Sequence, residues 1–309
     1  MRPMEPRIVV GTASGLRRLD ATGAQAPEVF AGHTVTALAR DGTRTWAVLD
    51  GDAIWVARDD GAGAAAASVA GPPATCLAWT PAGLLVGTEQ AHLLRLAGDR
   101  LTPIEPFEQA EGRDTWYTPW GDPADVRSIA MGAGAGGAIY VNVHVGGVLR
   151  SPDGEDGWRP TLDIETDVHQ VIAHPTRPGT VLVAAADGLG VSRDGGESWK
   201  FTTAGLAAHY SRAVAVAGDW VLLTASSGPA GRRSAIYRRR LDQEGDLERC
   251  RHGLPEWFHR NIDTACLAAA GPVVAFGTED GRVFRSLDAG ASWELAAKGL
   301  PEIRCLALG

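Results

Sequence analysis

Short apolar runs separated by Gly-containing turns recur along the whole chain, a pattern that predicts many short strands joined tightly. One class of run has the form x-A/C-L-A. It comprises Val35–Ala39, Ala74–Ala78, Val126–Ala130, Val168–Ile172, Ser211–Ala215 and Thr264–Ala268, with a seventh, Ile303–Ala307, at the end of the chain. A second class follows the first at short distance. Its members are Ile8–Gly11, Thr45–Leu49, Leu84–Gly87, Ala138–Val141, Val181–Ala184, Trp220–Thr224 and Val273–Gly277. The first class reads as inner strands of a repeated sheet and the second as middle strands.

A polar motif marks the repeat. Ser192-Arg-Asp194-Gly-Gly196-Glu-Ser198-Trp199 recurs as Ser286-Leu-Asp288-Ala-Gly290-Ala-Ser292-Trp293, and more loosely from Ser151-Pro-Asp153 to Trp158. Ser151 and Ser192 lie 41 residues apart, and Ser286 follows 94 residues later, about two more periods. A period near 40 residues with four strands per unit is the signature of a propeller blade. The first unit lacks its inner strand, and the last inner strand has no unit after it. Both facts are met by an all-β, seven-bladed β-propeller in which the C-terminal strand completes the N-terminal blade, since closure removes exposed sheet edges. The expected blades are residues 7–34 with 303–308, then 35–73, 74–125, 126–167, 168–210, 211–263 and 264–302, forming one domain.

The Asp of the motif suits a hairpin between third and outer strands, where its carboxylate accepts backbone N–H groups across the turn. Trp199 and Trp293 would cover the hairpin base. These Asp residues are therefore read as structural, on the face opposite any site. The pattern S-x-D-x-G-x-S-W resembles the Asp-box, or BNR, repeat of sialidases, sortilin-type receptors and photosystem assembly factors. Two copies match fully; in the third, Glu155 replaces Gly and Gly157 replaces Ser. The chain looks most similar to uncharacterised bacterial BNR-like proteins often labelled glycosyl hydrolases. The resemblance implies the propeller and leaves function open, because that family mixes glycosidases, receptors and assembly factors. Sialidase activity is not expected, since Arg7-Ile8-Val9 stands in place of Arg-Ile-Pro and seven blades in place of six.

Charge and composition narrow the partners. A formal net charge of -8 argues against nucleic acid, and Arg238-Arg239-Arg240 is read as an exposed strand end. No apolar run approaches the roughly 20 residues of a membrane span. The segment Met1–Pro6 has no apolar core for a signal peptide, and four Cys lack a framework spacing. A cytoplasmic protein is expected. Arg, Ala and Gly far outnumber Lys, a bias of GC-rich genomes rather than a function.

In such a ring the first residue after each strand start occupies one equivalent level near the top of the central channel. In blade order these residues are Arg304, Thr36, Thr75, Arg127, His169, Arg212 and Ala265. Three Arg and a His at seven equivalent positions point to an anion, because gathered like charges repel and guanidinium forks suit carboxylate or phosphate. The opposing reading pairs each Arg with a local acid such as Asp125, Asp167 or Glu302. The same face should receive Asn142 and His144 from the end of a middle strand, His209 and Tyr210 before the Arg212 strand, and His259 before the last blade. Imidazoles converging there, His144, His169, His209 and His259, would hold Zn²⁺ or a similar divalent ion. Equally, His144 and His169 with Tyr210 would serve as acid and base. No short metal motif supports the first option over the second.

The longest irregular insertion, residues 108–123, carries Trp116, Tyr117 and Trp120 and is expected either to fold over the funnel as a lid or to pack on its own blades. A smaller Gly-rich insertion, residues 226–234, is read as a mobile tip on that face. Cys76, Cys266 and Cys305 share one register and are read as occupants of a small-residue packing slot. The leading expectation is an enzyme of hydrolase or lyase type, metal-assisted if an ion is held, acting on a small anionic substrate. Arg127, Arg212, Arg304 and Asn142 would bind that substrate beneath the three aromatics. The alternatives are a small-ligand binder without chemistry and a scaffold that docks another protein.

Overall fold

Along the strands Val35–Asp41 and Val126–Met131 every other side chain is buried at the start of the strand, and the remainder keep exposed surface. One row of side chains packs within the sheet stack and the other faces an open space. The strands Ile139–Val143, Val181–Ala185 and Val273–Gly277 are buried at every position. Such strands have cover on both faces, which explains their unbroken apolar character.

A computed structural model describes residues 6–20, 23–59, 63–118, 120–134 and 137–309; the five N-terminal residues of the segment read for a leader, and Pro119 in the long insertion, lie outside the described residues. Six antiparallel sheets each contain four strands in consecutive order. In the remaining sheet, Ile8–Thr12 pairs with Gly15–Leu19 on one side and with Ile303–Leu308 on the other. Bridges Leu16–Val29 and Leu19–Gln25 extend its outer edge. The inner strands of successive sheets pack side by side around the ring, Ile303–Leu308 against Val35–Asp41. The protein is thus a seven-bladed β-propeller closed by its C-terminal strand. Blades are numbered here from that closing sheet, so blade 4 begins at Val126, blade 5 at Val168, blade 6 at Tyr210 and blade 7 at Leu267. The described helical content is limited to short turns, Glu105–Glu108 leading into the long insertion, Arg113–Thr115 within it and Glu89–Ala91 in blade 3. No helix among the described residues is long and apolar enough to cross a membrane.

The core lies between blades. Tyr140 and Val148 of blade 4 interlock with Val168, Val171 and Val183 of blade 5. Phe258, Phe276, Phe284 and Trp293 form an aromatic seam at blade 7, with ring centroids 5.0–5.6 Å apart. Full burial of a Val, Leu or Phe side chain contributes roughly 1.5–3 kcal/mol each over exposure, so each seam is a substantial adhesive. Some seams are too tight for any side chain. A Cβ on Gly87 would sit 2.4 Å from Val126 and 2.6 Å from Cys76 Sγ. Cys76, Cys266 and Cys305 fill the slot beside the next inner strand, with sulfurs 3.8, 3.9 and 3.5 Å from the carbonyls of Val126, Ile303 and Val35. Burial pushes the thiols of Cys76 and Cys305 up to about 12.

The Ser-Asp hairpins have the expected mechanical geometry. Ser198 donates to Asp194 from its backbone N–H (2.9 Å) and its hydroxyl (2.6 Å), and the Gly196 N–H reaches Ser192 Oγ at 2.8 Å. Asp288 and Ser286 repeat these contacts at 2.8, 2.6 and 2.8 Å. The Gly195 N–H bonds to the Gly179 carbonyl. That carbonyl belongs to the turn between inner and middle strands, so the hairpin lies on the face opposite the channel mouth considered below.

Most inner strands carry a β-bulge near the top. Register shifts fall between Val35 and Ala37, Ala74 and Cys76, Val126 and Ser128, Val168 and Gln170, and Ser211 and Val214. In the closing blade the irregularity lies opposite Arg304. The extra residue in each bulge is the one read from sequence as equivalent: Thr36, Thr75, Arg127, His169, Arg212 with Ala213, and Arg304. A bulge frees a side chain from the ladder and re-aims it. Blade 7 departs from the expected strand start at Thr264. Ala265 has a positive φ of 61°, and the strand begins only at Leu267.

Candidate functional site

The inner strands enclose a cavity of about 750 Å³ along the ring axis. Arg127, Arg212 and Arg304 all line it, with Thr36, Thr75 and Ala265 at the same level. Residues separated by up to 268 positions are therefore neighbours because the sheet ring closes. Four carboxylates, Asp125, Asp263, Glu279 and Glu302, and a fourth guanidinium, Arg260, share the wall. Arg212 Nη1 donates to Asp263 at 3.0 Å, Arg304 Nη2 to Glu302 at 2.9 Å, and Arg260 stands 3.5 Å from Glu279. Local pairing with acids accordingly holds for Arg212 and Arg304. Arg127 is different: among the described residues it has no carboxylate or hydrogen-bond partner. Its charged form is disfavoured first by burial and then by Arg212, with Asp167, Tyr210 and Asp263 opposing at longer range. Arginine nonetheless keeps its proton, which leaves an under-compensated cation at the wall.

His169 does not join this ring. It is wholly buried, and its Nδ1 lies 2.7 Å from the Ser211 carbonyl, which turns the imidazole into the seam between blades 5 and 6. Gln170, the next residue, lines the cavity instead. His144 is buried as well, and the two imidazoles flank Asp167, with Nε2 atoms 3.3 Å (His144) and 3.4 Å (His169) from its two oxygens. These are ion-pair separations without aligned hydrogen bonds, since His169 Nε2 and Asp167 Oδ1 are unpartnered by hydrogen-bond geometry. Burial works to raise the Asp167 carboxyl, but His144 and His169 overcome it and hold the group well below the usual carboxylate range. With Nδ1 facing a carbonyl, His169 presents an attractive Nε2 to Asp167 only if that nitrogen also carries a proton.

The ring of Tyr210 packs on His169 at 4.7 Å between centroids, and the Arg212 guanidinium lies over it at 5.2 Å. Burial raises the Tyr210 phenol above its ordinary value, with Arg212 opposing. Asn142 is fully buried, and its Nδ2 donates to the Val168 carbonyl at 2.8 Å. It stitches blade 4 to blade 5 and does not reach the cavity.

Of the two readings of the long insertion, packing on its own blades is the one observed, and the small insertion lies at the channel mouth. Trp116 packs against Phe107 at 5.9 Å beneath the Arg113 guanidinium. Tyr117 donates to Glu165 at 3.3 Å. Trp120 is 63% exposed and rests against the His144 ring at 5.1 Å. None of the three lines the cavity; the insertion caps the seam holding His144, because Phe107 and Trp158 offer it an apolar seat. The small insertion does overhang the mouth. Pro229 and Ala230 line the cavity, and Asn261 pins the loop by donating to the Gly228 and Pro229 carbonyls at 3.4 and 3.0 Å. His209 and His259 are exposed. Among the described residues no group of three or more His, Cys, Asp or Glu is arranged to hold a metal ion.

Sequence reasoning missed Asp167 as the centre of the imidazole cluster, Asp263 and Asn261 as parts of the mouth, and Gln170 as part of the wall below it. Asp167 and Asp263 do share a signal, an acid placed one or two residues before an inner strand start, but only the bulges decide which neighbour each meets.

No family model and no curated protein sequence matches the chain. Solved structures do. The glycoside hydrolase family 74 (GH74) enzyme of Niastella koreensis superposes with a TM-score of 0.71 at 17% identity, over 94% of this chain and 52% of that one. An ancestral GH74 enzyme gives 0.65 at 13% identity, over 98% of this chain and 40% of that one. YCF48 from Cyanidioschyzon merolae gives 0.60 at 14% identity, over 94% of this chain and 95% of that one. The chain spans about half the length of the GH74 enzymes it matches. Likenesses at this identity establish the fold alone: a seven-bladed propeller with structural neighbours among GH74 enzymes and YCF48-type propellers.

Proposed function

We propose that the top mouth of the channel binds a small organic anion, with the Arg127 guanidinium as its anchor and Arg212 beside it. One observation carries this reading. Of four arginines on the cavity wall, Arg127 alone has no acid beside it among the described residues, although burial and Arg212 both disfavour its charge. A carboxylate arriving there would supply the missing counter-charge, and Arg presents a planar fork that accepts it through two parallel bonds. The cavity volume lies within the range of small-ligand pockets.

Both an enzyme and a non-catalytic propeller are compatible with the structural neighbours. A specific observation favours a hydrolase or lyase as the second reading. Tyr210 packs on the His169 ring and beneath the Arg212 guanidinium, so it connects the buried His144–Asp167–His169 cluster to an arginine of the cavity wall, although the phenol does not itself line the cavity. His144 and His169 are too buried to touch a ligand themselves, so in that reading His169 positions Tyr210 through their ring contact. Protein docking has less support. The large apolar side chains exposed among the described residues are few: Tyr117 and Trp120 in the long insertion, Leu287 and Leu295 in blade 7, and Met131 at the channel, whereas docking faces usually gather many.

Calorimetric titration with acetate, butanoate and inorganic phosphate at fixed ionic strength tests the proposal. Arg127→Gln should weaken binding at least tenfold, the scale of one charge-assisted hydrogen bond, without lowering the melting temperature. Equal affinity of wild type and variant for every anion would refute it. Conversion of a bound anion that is lost in Tyr210→Phe would promote the enzyme reading over simple binding.

A further inference from the structure

Below the arginine tier the cavity wall changes character. Leu38, Leu77, Ile129, Ile172, Leu267 and Leu306, contributed by six different blades, line it. Leu38, Ile129 and Ile172 keep part of their surface open to the channel, and Met131 is 36% exposed at the lower end. The side-chain oxygens of the two polar residues at this depth are already engaged. Ser128 Oγ accepts the Val171 N–H at 2.9 Å, and Gln170 Oε1 accepts the Val214 N–H at 2.9 Å. Water in this stretch would find few partners, and ordered water needs two to four. The cavity therefore joins a guanidinium without an ion-pair partner among the described residues to an aliphatic sleeve.

We infer that the ligand is an amphiphilic monocarboxylate, its head on Arg127 and an unbranched apolar tail running down the channel. This rests on the anion reading above and adds the chemical class of the tail. Charge complementarity orients the occupant: the cations and their acids lie at the mouth, and the aliphatic tier has no charged side chain. From Arg127 to Met131 the inner strand advances four residues, about 13 Å at ~3.3 Å per residue. With C–C bonds of ~1.5 Å, an extended tail of about ten carbons would fill that depth. A more polar anion of equal charge would leave the sleeve wet and gain nothing from it.

The test is a homologous series, acetate, butanoate, hexanoate and octanoate, titrated calorimetrically into the full chain at constant ionic strength, with 1-octanol as a headless control. Each methylene moved from water into the sleeve is expected to tighten binding about two- to fourfold. Octanoate should then exceed butanoate by well over tenfold, and 1-octanol should bind far more weakly than octanoate. Ile129→Ser should weaken octanoate and leave butanoate nearly unchanged. Leu38→Ser, on another blade, serves if the first variant melts early. Arg127→Gln should weaken the whole acid series by one common factor. Affinity independent of chain length, still sensitive to Arg127→Gln, would overturn the amphiphile and leave the anion site standing. Failure of every acid to bind, or equal binding of 1-octanol and octanoate, would overturn the anion site and this inference with it.

Discussion

Replacement of Asp167 isolates the contribution of the buried His–Asp–His cluster. The carboxylate lies 3.3 and 3.4 Å from two imidazole nitrogens. Two unit charges at 3.4 Å attract by about 5 kcal/mol at an effective dielectric of about 20, and desolvation offsets part of that. Removing one partner of a buried pair costs about 3–5 kcal/mol. The Asp167 side chain is 26% exposed, and its contacts are not aligned, so about 2–3 kcal/mol is expected for Asp167→Ala near neutral pH. Unfolding entropy scales at about 2.1 cal/mol/K per residue, so in a 309-residue chain this lowers the melting temperature by about 4 °C. Asp167→Asn keeps the volume and polarity of the side chain and removes its charge, so most of the Asp167→Ala penalty should remain if charge pairing carries it. The wild-type carboxyl has a lowered pKa, so its contribution is present above the usual carboxylate range and fades only as pH drops through the lowered value. Urea denaturation of the three proteins at pH 7 reads these differences directly. A penalty below about 1 kcal/mol for Asp167→Ala, or an Asp167→Asn protein as stable as wild type, would refute the proposed charge pairing.

Asp194→Ala should lower the melting temperature through loss of the Ser198 contacts, yet leave anion affinity at the opposite face unchanged; lost binding in a folded protein would contradict the face assignment. Gly87→Ala forces a methyl group against Val126 and Cys76 and should destabilise by about 1–3 kcal/mol, visible as a lower urea midpoint with an unchanged slope. Cys76, Cys266 and Cys305, all with burial-raised thiols, should resist a disulfide reagent at pH 8 until denaturant is added; rapid native labelling would show the seams to be open. Trp120→Ala should change stability by less than about 1 kcal/mol, because most of the ring already contacts solvent.

Architecture was legible because it is written in local patterns. Period-two burial, the Asp194 and Asp288 hairpins and the orphan strand at Ile303 each depend on neighbours within one repeat, and repetition amplifies a weak signal sevenfold. The equivalence of Arg127, Arg212 and Arg304 followed from the same arithmetic. What tertiary structure decided was direction and partnership. His169 stands at the same repeat position as Arg127, yet its ring turns toward Ser211 in the next blade, where a buried carbonyl offers a bond that an open channel would not. Asp263, in the connection leading into blade 7, reaches back to Arg212, while Asp167 is claimed by two imidazoles; sequence places both acids near an expected strand start and distinguishes neither. Trp116 and Trp120 follow their apolar seats over Phe107 and His144 instead of closing the channel. Strand patterns are governed by which face is wet. The aim of a polar side chain depends on which buried donor, acceptor or charge lies within about 3 Å, and that is known only once distant blades have closed around it.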